Sequence, residues 1–172
     1  MRLTTVCERF EERLALEDYA DVDASANGLQ VGPDEKRVET VAFAVDAAEA
    51  TIETAAERGA DLLVVHHGVS WGGIERVTGT HYTRIAPLVE HDLACYAAHL
   101  PLDGHQELGN AAGVADLLDL DGLEPFGSIG PETVGLWGER ASPLPLPELR
   151  DTLDAALDTG DQPVQTLGFG PD

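Results

Sequence analysis

The sequence predicts an α/β fold: a mostly parallel sheet flanked by helices, with part of a second α/β lobe behind it. Three observations carry this. Leu62-Leu63-Val64-Val65 is an uninterrupted apolar run, the pattern of a strand covered on both faces. Leu93 to Ala98 is a second short apolar run. Around and between them, apolar residues recur at helical spacing, so strands alternate with helices as parallel crossovers require.

The elements follow in chain order. Thr5-Val6-Cys7-Glu8 fits a capping box, in which hydroxyl and carboxylate satisfy backbone donors at a helix start. Val6, Phe10 and Leu14 then mark one buried helical face. Asp21 to Gly32 reads as a loop with a turn at Asn27-Gly28. Val41, Phe43 and Val45 alternate with small residues inside a strand from Val38 to Asp46. Asp46 and Glu49 can cap the next helix, and Gly59 is suited to end it. After the Leu62–Val65 strand comes a helix around Tyr82 to His91, with Ile85, Leu88 and Val89 on its apolar side. The Leu93–Ala98 strand follows, then a helix from Asn110 to Leu118. These segments form one lobe, residues 1–125. A second, incomplete lobe occupies 126–172, with a strand near Val134–Trp137, a helix from Pro147 to Leu157 and a strand near Val164–Phe169. Pro143-Leu144-Pro145-Leu146-Pro147 connects its parts.

Charge dominates the composition. Asp and Glu number 32 against 10 Lys plus Arg, a formal net charge of −22, with Lys36 the single lysine. At ordinary ionic strength such a chain repels itself, whereas molar salt shortens the Debye length to about 3 Å and removes most of that repulsion. A halophilic, salt-filled cytoplasm is therefore expected. The acidity argues against gripping duplex nucleic acid, which takes clustered basic residues. No stretch is long and apolar enough for a membrane span, and the start lacks the apolar core of a signal peptide, so a cytoplasmic protein is expected. Cys7 and Cys95 lie in apolar patterns without metal-site spacing and read as small buried residues.

In open α/β sheets ligands bind beyond the carboxyl ends of the strands. The strand ending at Val65 delivers His66 and His67; the one ending at Ala98 delivers His99 and Asp103. A lone histidine beside a strand is usually a hydrogen-bonded structural residue. Two such strand ends, if adjacent, converge instead on a divalent-metal site built on His66, His67 and Asp103. Neighbouring residues of an extended chain point to opposite sides, so the two histidines are expected to serve two ions, spaced ~3.5–4 Å apart as in dinuclear centres. Imidazole and carboxylate suit Zn, Mn, Fe or Co, and two closed sites need at least one further ligand. Trp71-Gly72-Gly73 reads either as a lid in which Trp71 binds substrate by stacking, or as a glycine-rich turn with one packing tryptophan. His81, His91 and His105 read as surface or loop residues. There is no phosphate loop and no nucleophile elbow.

Asn27-Gly28-Leu29-Gln30-Val31-Gly32, then Asp46, Asp61 to Gly68, Tyr96 to Asp103 and Gly109-Asn110 occur in an order that resembles one family. These are the dinuclear-metal-centre hexameric proteins, also called NIF-three-like proteins or type 2 homologues of GTP cyclohydrolase I. The likeness is dense to about residue 120 and looser beyond. It implies two interlinked lobes, a toroidal homo-hexamer and two divalent ions, with His66, His67 and Asp103 matching ligands and His99 matching a histidine close to the site that supports the ligands or handles protons. One departure stands out: the family's C-terminal His-x-x-x-Glu motif, which completes the metal positions, has no counterpart before Gly170-Pro171-Asp172. A fragment of a longer product is expected, with a shortened member carrying a weakened site as the alternative.

Three functions compete at this stage. The first is a metal-dependent hydrolase acting on a small molecule such as a nucleotide, with His99 as its catalytic proton carrier. The second is a non-catalytic metal-binding ring that acts as a scaffold or regulator. The third is a metallophosphoesterase, which uses the same kind of metal pair.

Overall fold

The structure is a computed structural model and describes residues 1–33, 35–157, 159–160 and 162–169. Helix α1 spans Leu3–Leu14 and leads through a 3-10 turn, Leu16–Tyr19, to strand β1, Gly28–Val31. Strand β2 (Val41–Asp46), helix α2 (Glu49–Glu57) and strand β3 (Leu62–His67) follow. Next come helix α3 (Thr80–Glu90), strand β4 (Ala94–Ala97), the short helix α4 (Leu100–Asp103) and helix α5 (Asn110–Leu117). A hairpin of β5 (Leu120–Ile129) and β6 (Glu132–Arg140) precedes helix α6, Leu146–Ala156.

Four strands form one sheet in the order β1-β4-β3-β2. Strands β2, β3 and β4 run parallel, and β1 closes the edge antiparallel to β4. The mostly parallel sheet read from the sequence is thus present, and its two apolar strands are neighbours, with Val65 in register with Ala97. Period-two alternation sorts their side chains. Leu63, Val65, Cys95 and Ala97 pack with Ile52, Ala55 and Leu88 of α2 and α3 on one face. Leu62, Ala94, Tyr96 and Ala98 pack with Leu3, Cys7 and Leu14 of α1 on the other. Leu62 and Leu63 are fully buried, so truncating either to alanine costs about 3 kcal/mol. Both cysteines are buried, as expected, and burial pushes the Cys7 thiol to about 11 and that of Cys95 to about 12.

Several local expectations give way to tertiary contacts. Helix α1 starts at Leu3, with Thr5 and Glu8 inside it and no side-chain cap at Arg2. Its start is fixed instead by backbone pairing with a distant segment: Leu3 N–H donates to Lys36 O at 2.7 Å and Val38 N–H to Met1 O at 2.8 Å. Part of the expected Asp21–Gly32 loop is strand β1, because the free edge of β4 offers it a partner. Asp46 does not cap α2, whose N-cap is Ala48; its carboxylate is engaged elsewhere. Gly59 does end that helix region, at φ +70°. Phe43 is 71% and Val45 63% exposed, leaving Ala42 and Ala44 to pack inward from the open edge strand. Val89 is exposed, so Ile85 and Leu88 alone carry the buried side of α3.

The hairpin begins at Leu120, ahead of the second lobe expected at Phe126, and β5 is a strand that sequence reasoning missed. Pro125 and its glycines argue against a strand, but in a two-stranded ribbon one edge faces solvent and tolerates proline. Residues 162–169, expected to hold a strand near Val164–Phe169, have no strand pairing. Leu167 and Phe169 are exposed there, and no strand edge lies against them among the described residues. Gly170-Pro171-Asp172 falls outside the described residues.

A candidate metal centre at the strand ends

The carboxyl ends of β3 and β4 bring His66, His67 and His99 together. Ring centroids lie 4.5 Å apart for His66–His67, 4.8 Å for His66–His99 and 5.6 Å for His67–His99. One nitrogen from each ring lies within 4.8 Å of the others. The expected separation of His66 from His67 is therefore corrected. His66 is anchored at the end of β4 and His67 on β2, the two strands that flank β3. His67 is the last residue of β3, where the regular alternation of the strand ends.

Each imidazole is anchored through Nδ1. That of His66 faces Ala98 O at 3.2 Å, that of His67 faces Asp46 Oδ1 at 2.7 Å, and that of His99 faces Asp23 Oδ1 at 3.0 Å. All three partners are acceptors. Hydrogen-bonding logic thus assigns the proton to Nδ1 in each neutral ring, leaving an Nε2 lone pair free. This is the arrangement in which histidines ligate metals, with the second nitrogen held by a carboxylate or carbonyl. Asp103 Oδ1 lies 3.6 Å from His66 Nε2, beyond hydrogen-bond range, and accepts from Asn110 Nδ2 at 2.7 Å. Imidazole nitrogens beside a carboxylate fit a divalent transition ion.

Asp23 anchors the floor of the site. Its side chain is 2% exposed and accepts from Ser25 N–H at 2.8 Å, Asn27 Nδ2 at 2.8 Å, Leu100 N–H at 2.9 Å and the His99 ring. Burial alone would raise its pKa. The hydrogen bonds from Asn27, Ser25, His99 and Leu100 outweigh it and hold the carboxyl below its usual range. Asn27 Oδ1 also accepts the His99 backbone N–H at 2.7 Å. The Asn27-Gly28 signal read as a turn is thus one wall of the site.

Trp71, 44% exposed, meets His99 edge-on with centroids 4.7 Å apart and lies 6.0 Å from His67. Its segment is paired in place: Gly72 N–H donates to Ala24 O at 2.7 Å and Ala26 N–H to Ser70 O at 3.3 Å. Gln30 Oε1 accepts from Val69 N–H at 2.6 Å and Ser70 N–H at 3.2 Å. Gln30 passes so close to Gly68 that a Cβ there would collide with its amide, which explains glycine after the histidine pair. A cavity of about 430 Å³ opens beside His67, with Asp46, Ala47, Trp71 and Arg84 among its walls. A larger cleft of about 760 Å³ is lined by Glu8, Glu11, Glu12, Glu17 and Asp18 and carries no histidine; the histidine cluster borders the smaller one.

Sequence reasoning placed the three histidines and Asp103 at this end of the sheet. It passed over Asp23; Asn27 and Asn110 entered only within the family-like motifs, and Asp46 entered there and as a helix cap. The signal for Asp46 was available, since a carboxylate at the end of a parallel strand lies in the same crevice. His105 is a loop residue, as expected, with Nε2 at 3.2 Å from Arg13 O and Nδ1 accepting the Glu107 and Leu108 N–H groups.

Residues 1–172 match the family model described as Duf34/NIF3 (NGG1p interacting factor 3). A Halobacterium salinarum protein named GTP cyclohydrolase 1 type 2 homolog is 58% identical over 171 residues, covering 99% of this chain and 67% of that protein. A Treponema pallidum protein of the same name is 47% identical over 129 residues, covering 75% of this chain and 45% of that protein. The crystal structure of TTHA1606 from Thermus thermophilus superposes with a TM-score of 0.79 at 35% identity, covering 90% of this chain and 61% of that one. The chain thus spans between 45% and 67% of the length of these two curated relatives.

Proposed function

The chain belongs to the Duf34/NIF3 family, and from that premise we propose that it forms a divalent-metal centre of hydrolase type acting on a nucleotide-related small molecule. His66, His67 and Asp103 hold the metal, and His99 handles protons. The observation that carries this reading is the shared anchoring of the three imidazoles, each with Nδ1 on an acceptor and Nε2 free. The name borne by the curated relatives motivates the nucleotide.

A bound divalent ion of the Zn, Mn, Fe or Co type supplies Lewis-acid polarisation and a water of lowered pKa. The chain's own residues do the rest. Asp46 and Ala98 O fix the tautomers of His67 and His66. Asp23 holds the His99 ring and stabilises it when a proton arrives at Nε2. Trp71 packs edge-on against His99 and beside His67. Two ions per chain, as the family resemblance implies, need donors beyond these residues. The homo-hexamer and the cytoplasmic setting belong to the same proposal.

Elemental analysis of protein purified in high salt tests the centre. Metal in the parent protein, lost in His67→Ala and Asp103→Ala, is expected. No metal either in this chain or in one extended to the relatives' length would overturn it. Incubating the extended protein with GTP and Mn or Zn tests the substrate, and absence of any product overturns the nucleotide assignment.

A further inference from the structure

Arg84 is the feature of the cavity that the metal chemistry leaves unused. It sits on α3, is half-buried, and lines the same cavity as His67, Asp46 and Trp71. Among the described residues it makes no side-chain hydrogen bond or ion pair. In a chain with 32 acidic and 10 basic residues that is unexpected, because carboxylates are plentiful. Arg9, Arg58 and Arg76 also lack partners, but all three are solvent-exposed and need none. Withdrawing a guanidinium from water without a counter-charge is unfavourable, and the group is built for bidentate capture of phosphate or carboxylate. Asp46, the acid that lines this cavity, is committed to His67 at 2.7 Å. Trp71 lines the same cavity, a half-exposed indole whose ring offers a stacking surface.

Resting on the reading above, we infer that Arg84 is the substrate's anion anchor, and that the cavity takes a phosphorylated planar ring compound. The ring lies against Trp71 and the phosphate on the Arg84 guanidinium, so that the ligand is held on the His67 side of the histidine cluster. Selectivity then comes from charge as well as shape: an uncharged ring compound leaves the guanidinium unpaired and gains nothing from it.

Trp71 supplies the readout. With Trp137→Phe as the reference protein, Trp71 is the remaining tryptophan, since the chain contains two, and Trp137 lies on the exposed hairpin. GMP and guanosine are titrated against its fluorescence in molar KCl, with metal content measured on the same samples. GMP is expected to quench Trp71 and to bind at least about tenfold more tightly than guanosine, the loss typical of a missing charge-assisted hydrogen-bonded pair. Arg84→Gln should abolish that preference while leaving guanosine binding and metal content unchanged; Arg84→Lys should restore part of it. Equal binding of GMP by Arg84→Gln and the reference overturns the inference, as does the absence of quenching by GMP. If GMP discrimination persists while neither this protein nor one extended to the relatives' length holds metal, the anion anchor stands and the hydrolase reading falls. Circular dichroism and urea unfolding of Arg84→Gln verify that the variant is folded.

Discussion

Asp46 and His67 are register partners on adjacent parallel strands, and their side chains meet at 2.7 Å between Oδ1 and Nδ1. The pairing makes Asp46 the residue that sets the His67 tautomer. Asp46→Asn offers an amide in place of the carboxylate, which weakens the acceptor that holds the His67 ring. Metal affinity at the site should fall by about tenfold or more, the usual effect of removing such a partner. Competition against a calibrated chelator checks this. Overall stability should move by less than ~1 kcal/mol, because the pair is largely exposed.

The histidines were legible in the sequence for a reason specific to this fold. Leu62–Val65 and Leu93–Ala98 are buried on both faces, so each shows an uninterrupted apolar run that stops where the site begins. Asp23 was not legible, because its role depends on His99, 76 positions away, and nothing near it in the chain marks a buried carboxylate. Strand β1 was hidden for a similar reason: a four-residue strand takes its identity from the edge of β4. Thr5-Val6-Cys7-Glu8 failed in the opposite way, as a valid local signal overridden by pairing of residues 1–3 with 36–38. The missing Val164–Phe169 strand shows that a short apolar-bearing segment does not make a strand without a neighbour to pair with.

Asp61 ties the start of β2 to that of β3. Its carboxylate accepts the Glu39 and Thr40 N–H groups at 2.8 and 2.9 Å. The bonds from Thr40 and then Glu39 hold its pKa below the usual range. A depressed carboxyl contributes stability that is fully present above its unfolded pKa of about 3.9 and is lost as pH falls through the lower folded value. Urea midpoints of the native protein should therefore drop below about pH 4. Asp61→Asn should be less stable at pH 6 and show a shallower acid loss. Parallel acid limbs for the two proteins would remove Asp61 from the explanation.

Tyr96 is fully buried against Phe10, with ring centroids 5.4 Å apart, and its hydroxyl has no hydrogen-bond partner among the described residues. Burial first, then the charges of Glu11 and Cys7, push its pKa upward, so the phenol stays neutral. A buried donor without a partner costs free energy that phenylalanine does not incur. Tyr96→Phe should leave stability unchanged or raise it by up to about 1 kcal/mol, read from urea unfolding. A loss above ~1 kcal/mol would mean that the hydroxyl is bonded to an internal water.

Salt should stabilise the protein steeply at first and then weakly. The chain carries a net charge of −22, and few of its acids are matched: the ion pairs among the described residues, such as Arg2–Glu35 and Arg37–Glu39, are mostly exposed and individually weak. Self-repulsion therefore dominates the electrostatics of the folded state. The Debye length falls from about 10 Å at ~0.1 M to about 3 Å at ~1 M, so most of the relief arrives in that interval. Exclusion of salt from the surface acts differently, growing steadily with concentration and not levelling off. Thermal unfolding followed by circular dichroism in KCl separates the two. Screening requires Tm to rise most below about 1 M and to flatten above it. A straight rise across the whole range would assign the effect to exclusion, and a flat profile would mean that repulsion among the acids does not limit the fold.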